Sequence, residues 1–120
     1  MADYPWGDAL VPDRFDAHTV IFLVRPPDAP ELTEAELERL QAEHLDYLRG
    51  LQREGAIIAN GPLDDQTDVR LRGISIYTVP LDDALALARA DPMVRAGRLA
   101  IEGARWLTPP RVARFGAHPG

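Results

Sequence analysis

Five consecutive apolar residues, Val20-Ile21-Phe22-Leu23-Val24, set the tightest constraint on how this chain can fold. The run is β-branched and aromatic, and residues 18–25 stop at Pro26-Pro27, so they read as a strand. Side chains alternate across a strand, which puts Val20, Phe22 and Val24 on one face and Ile21 and Leu23 on the other. Both faces are apolar. A second segment, Val69 to Val79, repeats the pattern, with Leu71, Tyr77 and Val79 opposing Ile74 and Ile76. An antiparallel sheet with one wet face alternates apolar with polar residues, and these strands do not. Each side needs a cover.

Between these strands the apolar period changes. Leu37, Leu40, Leu48 and Leu51 follow a helical stripe whose one gap is filled by His44. Thr33 and Glu36 form a capping box, and Gly55 stands where a left-handed closing residue belongs, so a helix is predicted over 33–54. Ala56 to Ala59 reads as a short strand closed by a turn at Asn60-Gly61-Pro62. Pro80 opens a second helix, about 81–90, with Asp82 and Asp83 at the positive end of its dipole. It stops before Pro92. A last strand, about 98–106, ends at Trp106.

The order βαββαβ at this length gives an α+β, ferredoxin-like domain over residues 17–107, with a four-stranded antiparallel sheet. Residues 1–16, with Tyr4, Trp6 and Phe15, and residues 108–120, with Phe115, have no usable period and read as arms. They either fray or dock through their aromatic residues. Two helices cover only one sheet face. The other packs most economically on a second copy of itself, so a homodimer is expected.

Composition then removes much of enzymology. The chain has no cysteine, which excludes thiol nucleophiles, disulfides and Cys-ligated metal. All 13 cationic side chains are arginine, so Schiff-base chemistry lacks its amine. The single serine, Ser75, is not in a Gly-x-Ser-x-Gly elbow. His18, His44 and His118 have no ligand-like spacing, so no metal and no cofactor are expected. A net charge of -6 argues against nucleic acid and anionic membrane surfaces as partners. The acidic start carries no export signal, and the expected setting is the cytoplasm.

His44 occupies a core-facing helical position where an apolar residue would pack better. Asp91 ends the second helix, where its charge meets the negative end of the dipole. In a βαββαβ fold both lie about 15 Å from level helix ends, at 1.5 Å per residue, so their side chains can meet. An imidazole held by a carboxylate is a competent general base. The plainer readings are a satisfied core histidine and an aspartate capping the turn after Pro92. Both readings stand at this point.

Glu43-His44-Leu45-Asp46-Tyr47-Leu48, Gly55, Asn60-Gly61-Pro62-Leu63, Asp82-Asp83-Ala84, Ala90-Asp91-Pro92, Ala96-Gly97 and Trp106, in this order, resemble the YciI-like (YCII-related) family. The resemblance covers roughly residues 18–107. It implies a ferredoxin-like subunit of the dimeric α–β barrel type and an active site built on the pair His44 and Asp91. Members studied as enzymes include a dehydrochlorinase of chlorinated hydroxyquinols. Two positions depart from the family pattern. Pro80 replaces the usual capping Ser or Asp, and Met93 stands where an aromatic residue is common.

Around the pair, the candidate substrate-binding residues are Gly61 and Pro62, in the Asn60-Gly61-Pro62 turn whose Asn60 and Gly61 backbone N–H groups can reach a ligand, with Ser75, Tyr77 and Met93. Ser75 and Tyr77 share one strand face and line the pocket if that face meets the helices. The expected function is cofactor-independent proton transfer on a small molecule, an elimination such as dehydrochlorination or an isomerisation. The alternative is a non-catalytic dimeric module that only holds a ligand.

Overall fold

The structure is a computed structural model, and it describes residues 15–116. Four strands and three helices follow one another: β1 (Asp16–Val24), α1 (Glu34–Arg53), β2 (Ile57–Pro62), β3 (Leu71–Tyr77), α2 (Leu81–Arg89), α3 (Pro92–Arg95) and β4 (Ala100–Thr108). The strands form one antiparallel sheet in the order β2-β3-β1-β4. This is the expected α+β, ferredoxin-like arrangement, with α3 added as a single extra turn before β4.

Local chemistry accounts for the helix boundaries. The Thr33 hydroxyl accepts from the Glu36 N–H, while the Glu36 carboxylate accepts from the Thr33 N–H, closing the capping box ahead of α1. At the other end Gly55 takes a φ of 81°, a left-handed conformation that costs glycine little. Pro80 precedes α2 without a side-chain cap, and Asp82 and Asp83 complement the dipole instead.

The strand ends differ from the sequence reading in one place that matters. Asn60-Gly61-Pro62 is not a turn. It is the second half of β2, with Asn60 opposite Ser75, Gly61 opposite Ile74 and Pro62 opposite Gly73. β2 is an edge strand, where a proline without an N–H is tolerated, and the turn falls between Leu63 and Arg70. The outer ends of the sheet also run further: Asp16 pairs with Thr108, so β1 and β4 take in the inner residues of both arms.

The helices cover one sheet face. Ile21, Ile57 and Tyr77 pack with Leu48 and Leu51 of α1 and with Ala84 and Ala88 of α2. A smaller cluster joins Leu23, Leu40, Met93 and Leu99 at the end nearer α3. Gly103 of β4 lies under α2, and a Cβ there would sit 2.9 Å from the Leu81 side chain and 3.0 Å from that of Ile21. Glycine therefore lets the helix approach the strand. The opposite face carries Val20, Phe22, Ile74, Ile76 and Trp106 around an apolar groove of ≈ 380 Å³. No described helix is long and apolar enough to cross a membrane.

Part of the C-terminal arm docks. The Arg111 N–H donates to the Asp16 carboxylate at 2.8 Å. The Phe115 ring stands edge-on to His18, with centroids 5.2 Å apart. Tyr4, Trp6 and His118 lie outside the described residues.

Candidate active site

His44 projects from the buried stripe of α1, one turn from Leu40 and one from Leu48. Asp91 sits at the junction of α2 and α3. Its Oδ1 accepts from the Met93 N–H at 2.9 Å, so the residue does cap the turn after Pro92. The same carboxylate faces His44, whose Nδ1 lies 2.7 Å from Oδ2 and 2.9 Å from Oδ1. The capping and pairing readings are both fulfilled by one side chain. Two donors converge on the carboxylate from different elements and fix its plane.

Both partners are withdrawn from water: His44 is 7% exposed and Asp91 1%. Removing one member of such a pair strands the other, which makes the pair costly to break. With Nδ1–H donating to Asp91, the neutral imidazole carries its lone pair on Nε2. That tautomer is the one a base needs, because the nitrogen engaged by Asp91 has no lone pair free.

His44 lines a cavity of ≈ 300 Å³ between α1, the sheet and α3. Gly61 and Pro62 of β2, Ser75 of β3 and Met93 of α3 line it too, as do Leu23 and Leu48. Four of the five expected binding residues thus share the cavity with the histidine. Tyr77 does not. It points to the same sheet face but lies deeper in the core, 2% exposed, and burial pushes its phenol pKa up strongly. Asp91 is not a lining residue either and stands behind His44.

Sequence reasoning missed Arg25, Arg72 and Gln41, which also line the cavity, as does Asn60. Arg25 follows the apolar run of β1 and Arg72 lies on the exposed parity of β3, so no period singles them out. Asn60 was absorbed into an expected turn, whereas it accepts a hydrogen bond from Gln52 of α1. Tyr47, beside the histidine on α1, donates from its hydroxyl to the Leu87 carbonyl at 2.7 Å and ties α1 to α2. Burial and then the charges of Asp91 and Glu54 raise its phenol pKa. No group of three metal-ligating side chains occurs among the described residues.

Comparison with known proteins agrees with the fold. A family model described as the YCII-related domain matches residues 20–102. No curated protein sequence matches the chain significantly. Among solved structures, 5-chloro-2-hydroxyhydroquinone dehydrochlorinase from Burkholderia phenoliruptrix AC1100, in complex with 2,5-dihydroxybenzoquinone, is 23% identical. That match covers 74% of this chain and 92% of that one, with a TM-score of 0.53. Muconolactone isomerase is 17% identical over 84% of this chain and 99% of its own, with a TM-score of 0.58. At these identities the likeness is one of fold.

Proposed function

The chain belongs to the YCII-related domain family, and from that premise we propose that it is a small-molecule enzyme performing general-base proton transfer without a cofactor. The observation that carries the reading is the buried His44–Asp91 contact of 2.7 Å on the wall of a ligand-sized cavity. His44 Nε2 takes a proton from a substrate carbon. Asp91, as the positioning residue, stabilises the imidazolium that forms. The carbanion's electron pair then either expels a leaving group such as chloride, completing an elimination, or is reprotonated at another carbon by the same imidazolium, completing an isomerisation. Atoms and charge balance in both without a co-reactant. Gly61, Pro62, Ser75 and Met93 would shape the substrate's seat, and Tyr77 would act only by supporting it from the core. The active unit in this reading is a homodimer formed through the helix-free sheet face.

Incubating the protein in D₂O with 5-chloro-2-hydroxyhydroquinone and with muconolactone tests the chemistry. The expected result is chloride release or deuterium incorporation that falls by about 10²–10⁴-fold in His44→Ala. A His44→Ala protein that retains the full rate would rule the base out. Binding of both compounds in the cavity with no proton exchange would favour the ligand-binding module instead.

A further inference from the structure

Arg25 and Arg72 line the His44 cavity and also a neighbouring cavity of ≈ 390 Å³, where Arg70 and Arg98 join them. Arg70 is matched by Asp68 at 2.8 Å. Arg25, Arg72 and Arg98 have no ion pair among the described residues, and Glu31, which lines the second cavity, neutralises none of them. In a chain of net charge -6, three uncompensated guanidinium groups are thus gathered at one end of the sheet. The crowding has a cost: burial and then the charges of Arg98 and Arg72 hold the Arg25 guanidinium below its usual pKa.

The hydrogen bonds show which edges are free. Arg25 Nε donates to the Arg98 carbonyl at 2.9 Å, which orients the guanidinium and leaves its Nη groups without a partner. The Arg72 guanidinium makes no hydrogen bond among the described residues, and Arg98 Nε is buried without an acceptor. A carboxylate supplies what these groups lack, because its two oxygens match the donor fork and the added charge relieves the mutual repulsion. The rest of the His44 cavity, with Leu23, Leu48 and Met93, is apolar enough to take a hydrocarbon body.

We propose that Arg25 and Arg72 form an anion subsite of the His44 cavity, and that the substrate is a small organic acid held there by its carboxylate. Its apolar part extends toward Met93 and brings a carbon within reach of His44. The catalytic half of this statement rests on the dyad reading above, whereas the anion subsite is a binding claim that stands without it.

The test is NMR titration of the arginine Nε–H resonances with formate, acetate and benzoate, each beside its neutral amide. The acids are expected to shift the Arg25 resonance and to bind at least about tenfold tighter than formamide, acetamide and benzamide. Arg72→Gln should remove most of that preference and Arg72→Lys should restore part of it. Arg72 is exposed, so these variants keep the fold, whereas Arg25→Gln would also cut the bond to Arg98. Arg72-dependent acid binding in a protein that exchanges no substrate proton in D₂O would uphold this claim while the dyad fails, which separates the two. Equal affinity for acids and amides, no shift with any acid, or unchanged binding in Arg72→Gln would each overturn it.

Discussion

On the helix-covered face of the sheet, Ile21 and Tyr77 are 1% and 2% exposed beneath α1 and α2. On the other face, Trp106 is 43% exposed beside Val20, Phe22, Ile74 and Ile76. The same strands build both faces, and alternation along β1 and β3 assigns their side chains to one or the other. The first face holds the paired imidazole and carboxylate of the candidate site: His44 on the cavity wall, Asp91 behind it, and Ser75 lining the same cavity. The second holds an apolar groove with few polar groups, of the kind that marks an association surface. Burial of a histidine and an aspartate costs stability on one side, and the exposed Trp106 leaves apolar surface in water on the other. In the proposed function the first face carries the chemistry and the second the assembly.

Breaking the first face at its chemistry should give the largest effect. His44→Ala is expected to lower turnover per folded molecule by about 10²–10⁴-fold, with a loss of stability from the stranded Asp91 carboxylate. Asp91→Asn keeps the cap on Met93 and should lose less. The double variant should be hardly worse than His44→Ala alone, since the two residues serve one step. Losses that multiply, or an Asp91→Asn protein that unfolds with unchanged activity per folded molecule, would make Asp91 a structural cap only.

The two faces can also be set against each other by truncation. Ile21→Ala removes a side chain from the closed core and should cost about 2–5 kcal/mol in urea denaturation. Phe22→Ala, one residue along and on the open face, should leave isolated-subunit stability nearly unchanged and weaken association instead. Trp106→Glu should abolish association by burying a charge in the interface, with benzoate binding retained because Trp106 is no part of the His44 cavity. Light scattering across a concentration series separates the cases, and a wild-type protein that is monomeric at all concentrations would refute the assembly half of the comparison.

The smallest effect is expected at alkaline pH. Tyr47 and Tyr77 both have raised phenol pKa values in the folded protein. The unfolded chain therefore ionises first, at about pH 10, and stability should fall as pH rises from there toward the folded values. Tyr77→Phe should flatten that decline, which thermal melts from pH 8 to 11 would read.

Much of this was legible because it is periodic. The stripe from Leu37 to Leu51 announced both α1 and the anomaly of His44 within it, and the capping box at Thr33 marked its start to the residue. The meeting of His44 with Asp91 was legible because rise per residue in two antiparallel helices is fixed. Asn60-Gly61-Pro62 misled because its composition is that of a turn, and only the pairing with β3 reveals an edge strand. Tyr77 had the right parity for the cavity but the wrong depth along β3, and parity carries no information about depth. The arginine cluster was hidden for another reason. Arg25, Arg72 and Arg98 come together only through the β1–β3 pairing and the loop before β4, so their shared charge appears only in three dimensions.

The central claim is that Asp91 holds His44 with its lone pair on Nε2, and the tautomer of the ring reads this directly. Nitrogen-15 NMR of the neutral His44 imidazole should show the proton on Nδ1 and a bare Nε2. In Asp91→Asn that preference should weaken or reverse, because the anionic acceptor is gone. A wild-type ring carrying its proton on Nε2 would contradict the account, since the cavity would then face a donor and not a base.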